Sequence, residues 1–113
     1  MACIFCGIAE GTRPGTIVHR DELVTAFRDI NPRAPLHVLV IPNEHIPSAA
    51  DIGEGHGALL ARMFAVARGI VEAEGYLNEG YRLVLNVGRA AGQSVDHLHL
   101  HVLAGRHFGW PPG

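Results

Sequence analysis

The sequence predicts an α+β domain built on an antiparallel sheet. Short apolar runs of strand length occur in both halves of the chain, divided by clusters of Gly, Pro, Asn and Asp. Between them lies one long stretch, Leu59, Leu60, Met63, Phe64, Ala67, Ile70 and Val71, whose apolar residues recur at helical spacing. Strands, one long helix and strands again is the order expected of an α+β fold. At 113 residues the chain amounts to one domain, 1–113, without internal repeat, linker or low-complexity segment.

Each element has its own signal. Residues 1–10 are compatible with a short helix ending at Gly7 or Gly11, and Thr12-Arg13-Pro14-Gly15 reads as a turn. Ile17–His19 and Val24–Phe27 form two short strands around a polar turn at Arg20-Asp21-Glu22. Asp29–Pro35 is a loop because its prolines block helix and central strand alike. Leu36–Ile41 is a strongly apolar strand closed by Pro42, followed by a loop over 43–50. Asp51, with Glu54 three residues on, resembles a helix start with its capping partner, and the helix should end near Gly75. Arg82–Val87 is a fourth strand, Gly88–Gln93 a glycine-bearing loop and Val95–Leu103 the fifth strand. The tail, Gly109-Trp110-Pro111-Pro112-Gly113, suits neither helix nor central strand.

Composition narrows the function classes. Apolar residues make up 48% and charged residues 18%, which argues against disorder. The net charge of -2 supplies no basic field to attract nucleic acid. No apolar run approaches the ~18 residues of a membrane span. Met1–Cys6 lacks the pattern of a signal peptide, and two cysteines make no disulfide framework, so the expected compartment is the cytoplasm. All nine basic residues are arginine, so no lysine is available as nucleophile or phosphate ligand. A chain this short leaves much apolar surface wet as a monomer, which favours an oligomer.

Eight histidines remain, three of them in Asp96-His97-Leu98-His99-Leu100-His101-Val102-Leu103. Side chains on a strand alternate, so His97, His99 and His101 should share one face at ~6.5–7 Å intervals, with Leu98, Leu100 and Val102 on the core face. A polar solvated face rich in histidine is the ordinary explanation, and a metal site using all three is another. A third is chemical. Neutral imidazole is a nucleophile toward phosphorus, and crowded imidazoles hold one another neutral while an outer one donates a proton. The preceding Gly88–Ser94 loop offers backbone N–H groups and a hydroxyl for an anion.

The stretch Ala91-Gly92-Gln93-Ser94-Val95 followed by His97-Leu98-His99-Leu100-His101-Val102-Leu103 resembles the histidine triad (HIT) family. Trp110-Pro111-Pro112-Gly113 is similar to the Hint branch in particular, and Cys3-Ile4-Phe5-Cys6, Leu36–Pro42 and His45 match other parts of the pattern. The resemblance covers essentially the whole chain. It implies an antiparallel five-stranded sheet with one long and one short helix, and a homodimer joined through a ten-stranded sheet. It further implies a purine nucleoside phosphoramidase that hydrolyses adenosine 5′-phosphoramidate to AMP through a nucleotidyl-histidine. Related branches of the family are dinucleoside polyphosphate hydrolases or nucleotidyl transferases, and a nucleotide-binding interaction protein with residual activity is a further alternative.

By that resemblance His99 is the nucleophile, His101 contacts the phosphate and assists the proton, His97 orients the array, and His37 tunes it. Ser94, Asn86, Gly92 and Gln93 correspond to phosphate and leaving-group ligands, Asp29 to the ribose ligand, and Phe27 and Ile30 to the surroundings of the base. Trp110 would reach the partner subunit's site. No cofactor is required for this chemistry. Cys-x-x-Cys by itself is compatible with half a zinc site, a redox pair or two buried small residues. In the resemblance, Cys3, Cys6, His45 and His97 hold a structural zinc. Three positions depart from the family pattern: Asn43 replaces a Lys, Asp96 an apolar or aromatic residue, and Arg13 an apolar residue near the base.

Overall fold

The structure, a computed structural model, describes residues 3–113. A short helix α1 (Ile4–Glu10) leads into strands β1 (Ile17–Arg20), β2 (Val24–Arg28) and β3 (Leu36–Pro42). The long helix α2 (Gly57–Ala73) follows, then β4 (Tyr81–Val84) and β5 (Leu100–Ala104). The strands form one antiparallel sheet in the order β1-β2-β3-β5-β4. The five strands and two helices are those expected from the sequence. The first two residues of the expected 1–10 helix lie outside the described residues.

Strand β3 is buried along its whole length because both sheet faces are covered. One face packs Val24, Ala26, Val38, Val40, Leu100 and Val102 against Met63, Val66, Ala67 and Val71 of α2. The other packs Phe27, Leu39 and Ile41 against Phe5 and Ile8 of α1. Seven residues are too few for an isolated helix in water, so α1 depends on that contact. Burying Phe5 contributes roughly 1.5–3 kcal/mol toward it. Both helices end where glycine takes a left-handed turn that closes the last carbonyls, at Gly11 (φ 84°) and Gly75 (φ 89°).

Three boundaries differ from expectation. Helix α2 starts at Gly57, not Asp51, because Ser48 caps a separate 3₁₀ turn over Ala49–Asp51 and the backbone is extended at Ile52 and Gly53. A second 3₁₀ turn, Glu54–His56, then enters the helix, with the Gly53 N–H donating to His56 Nδ1 at 2.9 Å. The fifth strand begins at Leu100, not Val95. Its expected first half bends away, and the Leu98 N–H donates to the Ile46 carbonyl at 2.6 Å. Strand β4 consequently stops at Val84, opposite His101, and not at Val87.

Asp21 ties the β1–β2 hairpin to α2. Its carboxylate accepts the Leu23 and Val24 N–H groups and contacts His19 Nε2 at 2.6 Å and Arg62 Nε at 2.8 Å. Burial alone would raise its pKa, but these partners outweigh burial and hold it well below the usual carboxylate range. Asn43 stitches the turn of the same hairpin, accepting from Thr25 Oγ1 at 2.6 Å and donating to the Asp21 carbonyl at 2.8 Å. No helix among the described residues is long and apolar enough to cross a membrane.

Candidate functional site

His97 and His99 precede β5, and His101 lies within it, yet all three side chains point to the α1 side of the sheet. Phe5 lies edge-on to both His97 and His99, with ring centroids 6.1 and 5.2 Å away, and His99 and His101 are 5.1 Å apart. Leu98, Leu100 and Val102 pack in the opposite core. The alternation expected of a strand therefore survives a segment whose ladder is broken.

Backbone groups determine which nitrogen of each ring carries the proton, since a carbonyl only accepts and an N–H only donates. His97 Nε2 lies 2.9 Å from the Pro42 carbonyl, so it donates there and leaves Nδ1 as a lone pair. His99 Nδ1 lies 2.7 Å from the His97 carbonyl, so it donates and leaves Nε2 as the lone pair. The Arg33 N–H donates to His37 Nδ1 at 3.0 Å, which places the proton of neutral His37 on Nε2. That proton points at His101 Nδ1, 3.0 Å away, and leaves N–H on His101 Nε2. Asp29 joins this pair through Oδ2, 3.4 Å from His37 Nε2.

Burial pushes the pKa of His37 down, opposed by Asp29 and reinforced by Arg33. Burial, then the neighbouring His99 and His37, lower His101 to about 4. Burial also lowers His97, against its bond to Pro42. These three imidazoles are therefore neutral at pH 7, as the assigned bonds require.

His99, His101 and Ser94 open onto a cleft of about 370 Å³, within the range of small-molecule sites. Its apolar wall is made by Ile4, Phe5 and Ile8 of α1 with Phe27 and Leu39 of the sheet, and Asp29 and Ile30 stand at its rim. An aromatic or heterocyclic body fits such a wall, with polar ends toward Asp29 and the imidazoles. A lone pair on His99 Nε2 beside an N–H on His101 Nε2 is the arrangement needed to attack a phosphorus centre and protonate its leaving group.

On the other side of His97, Cys3, Cys6, His45 and His97 bring one donor atom each to within 4.8 Å of one another. Cys3 caps α1 and Cys6 lies one turn on, which aims both sulfurs the same way. His97 Nδ1 is 3.3 Å from Cys3 Sγ and 3.5 Å from Cys6 Sγ, and His45 Nδ1 is 3.3 Å from Cys6 Sγ. A zinc tetrahedron with bonds of ~2.0–2.3 Å places neighbouring N and S ligands about 3.5 Å apart, and these three N···S separations match that spacing. The His97 bond to Pro42 is the outer contact that turns Nδ1 toward it. Without a cation, burial and then Cys3 push the Cys6 thiol up to about 11, a cost that metal binding reverses.

Residues 2–109 match the family model described as scavenger mRNA decapping enzyme C-term binding. The purine nucleoside phosphoramidase of Escherichia coli (strain K12) is 49% identical over 94% of this chain and 89% of its own length. A crystal structure of a HIT family hydrolase from Legionella pneumophila Philadelphia 1 superposes with a TM-score of 0.97 at 47% identity, covering 99% of this chain and 100% of that one. The chain belongs to the histidine triad family. A 14 kDa zinc-binding protein of Zea mays, 45% identical over 97% of this chain and 87% of its own length, is another relative.

The histidine triad fold brings together most of the residues singled out from the sequence. Phe27, Asp29, Ile30, Ser94, His99 and His101 all line the cleft, and His37 reaches it through His101. Three expected ligands stand elsewhere. Gln93 is buried, with Oε1 accepting from the Gly88 N–H at 2.9 Å and Nε2 donating to the Pro47 and Val95 carbonyls at 2.7 and 3.1 Å. Its amide staples the loop and does not face the cleft. Asn86 lies past the end of β4, Gly92 closes the 3₁₀ turn Arg89–Ala91, and neither lines the cleft. Trp110 is 84% exposed in a tail tied down by Arg82, which donates to the Gly109 carbonyl at 2.9 Å. Arg13 lies beside the cysteine cluster and does not line the cleft. Asp96 is exposed and bonds to no imidazole among the described residues. The role of Phe5 was not foreseen, although its i, i+3 spacing with Ile8 marks an apolar helix face pointing at the sheet.

Proposed function

We propose that this protein is a hydrolase of purine nucleoside phosphoramidates, releasing a nucleoside monophosphate through a nucleotidyl-His99 intermediate. The observation that carries the reading is the opposed pair of ring nitrogens in the cleft, a lone pair on His99 and a proton on His101. In the first step His99 Nε2 forms a bond to phosphorus as the P–N bond breaks. The nitrogen leaves with the bonding pair and takes the Nε2 proton of His101 while the His37–His101 pair carries one added proton, so that the pair is left neutral. In the second step water attacks phosphorus, His101 accepts its proton and His99 is released. The N–H of Ser94, which has no hydrogen-bond partner among the described residues, and its hydroxyl are the groups nearest to hand for the phosphoryl oxygens. Asp29 holds the ribose hydroxyls and the α1 wall takes the base.

The cluster Cys3, Cys6, His45 and His97 holds a structural zinc in this reading, and a bound ion would clamp α1 and the His97 segment together. The zinc-binding name of the maize relative and the donor geometry support it. No step of the reaction runs through the metal. We further propose a homodimer in the cytoplasm, in which the exposed Trp110 tail meets the neighbouring subunit's cleft. The exposed tail leaves Trp110 free to meet a neighbouring subunit, and a chain this short leaves much apolar surface wet as a monomer.

The test is AMP release from adenosine 5′-phosphoramidate by the wild type and by His99→Ala. Turnover in the wild type and its loss in the variant support the reading. Turnover that survives His99→Ala refutes the nucleophile. Inactivity of the wild type together with cleavage of a dinucleoside polyphosphate would move the assignment to that branch.

A further inference from the structure

Asp29 is over-provided for a residue that only binds sugar. Its Oδ1 accepts the Asn31 N–H at 2.8 Å, which locks the carboxylate in an Asx turn. The backbone N–H of Asp29 donates to the His37 carbonyl at 3.0 Å, which fixes the loop to β3. Its Oδ2 is thereby held 3.4 Å from His37 Nε2, the nitrogen that also faces His101 Nδ1 at 3.0 Å. Asp29 Oδ2 and His101 Nδ1 thus share one nitrogen of His37, and His101 opens on the cleft.

The charged neighbours of the two imidazoles are few. Asp29 and Arg33 face His37 from the loop after β2, and His99, His37 and Asp29 face His101. Asp29 is the one anion among them. Every other neighbour, together with burial, disfavours a proton on the pair. Yet the departing amine must take a proton from His101, and water must return one.

We propose that Asp29, besides holding ribose, is a positioning residue for proton transfer, its carboxylate stabilising the protonated His37–His101 pair that serves the leaving group. The inference rests on the phosphoramidase reading. In the balanced step the proton leaves His101 Nε2 for the departing nitrogen as the P–N bond breaks. Water later replaces it, and Asp29 itself neither gains nor loses a proton. It acts through His37 and touches no reacting atom.

The experiment separates the sugar role from the proton role. Wild type and Asp29→Asn are compared on adenosine 5′-phosphoramidate and on its 2′,3′-dideoxy analogue, which offers Asp29 no hydroxyls. The variant keeps the side-chain size and the oxygen that accepts from Asn31. For the proposal, the variant loses about tenfold in kcat on both substrates at neutral pH, equivalent to roughly one pKa unit. Its KM rises on the ribose substrate alone, and the alkaline limb of its kcat profile moves to lower pH. An unchanged kcat on the dideoxy substrate overturns the proposal and leaves the phosphoramidase reading intact. The second readout needs no turnover: the His37 and His101 side-chain nitrogens are titrated by NMR in both proteins with AMP bound. Midpoints lower by about one unit in Asp29→Asn support the proposal, and coincident midpoints overturn it. Wild type inactive on both substrates sinks the phosphoramidase reading, and the titration still decides whether Asp29 governs the pair.

Discussion

Two histidine clusters flank His99, and they are built from the same residue type to opposite ends. On the side of His97, the ring gives its Nε2 proton to Pro42 and turns a lone pair toward two sulfurs and His45. On the side of His101, a chain of donors starting at the Arg33 N–H ends with a proton facing the cleft. Imidazole presents a lone pair in one place and a proton in the other because a different nitrogen is occupied, Nε2 of His97 by the Pro42 carbonyl and Nδ1 of His101 by the His37 N–H. His99 sits between them, its Nδ1 held by the carbonyl of His97. The residue that completes the cysteine cluster therefore also aims the residue that faces the substrate cleft.

The comparison breaks most sharply at His99. If His99 is the nucleophile proposed, replacement by Ala should cost at least about 10³-fold in turnover. Circular dichroism and metal content should stay those of the wild type, because the ring lies outside the cysteine cluster. A variant that loses metal as well would mean that the two clusters are one cooperative site.

Cys6→Ser probes the other side. Metal analysis should show loss of stoichiometric zinc, and thermal unfolding should move down by at least roughly 8 °C if about 2 kcal/mol is lost. Turnover should fall by less than about tenfold, reflecting only a looser His97 carbonyl. Turnover abolished along with the metal would place the cation in the chemistry.

The acid cluster also has a pH signature. His101 titrates at about 4 in the folded chain against an ordinary value of 6.5. Its neutral form is the one the fold accepts, so the associated stability is present above pH 6.5 and lost as pH falls through about 4. Urea midpoints measured across that window should fall with acidity in the wild type and fall less in His101→Gln. Equal slopes in the two proteins would mean that His101 does not titrate as its surroundings require.

The smallest effect is expected at Asp21, remote from both clusters. Asp21→Asn should cost about 1 kcal/mol at neutral pH through its contacts to His19, Arg62 and the turn. A depressed carboxyl stabilises above its unfolded value and ceases to do so in acid, so the difference between variant and wild type should close below about pH 4. Turnover and metal content should not change.

Much of this was legible in the residues. The face shared by His97, His99 and His101 follows from alternation, and it held even where the strand did not, with Leu98 and Leu100 in the opposite core. The limits of that strand were not legible, since they depend on Ile46, far away in sequence, taking the Leu98 N–H. Gln93 illustrates the same limit. Beside a glycine loop an amide looks equally suited to a phosphate or to its own backbone, and only the fold shows three backbone partners around it. The resemblance puts Arg13 near the base, but in the structure it lies beside the cysteines. At Asp51 a sound capping pattern lost to Ser48, whose turn ends before the helix begins.

What the sequence determined alone was the class of fold, the strand and helix that make the core, and the inventory of imidazoles, thiols and carboxylate available for chemistry. Period and punctuation are local, so one chain suffices to read them. Tertiary structure decided which ring nitrogen is free at each histidine, which cysteine meets which histidine, and which amide is spent on its own loop. Those outcomes depend on backbone carbonyls and N–H groups that the fold brings against each ring, Pro42 from a distant strand to His97 and Arg33 from the preceding loop to His37, where every residue type presents the same atoms.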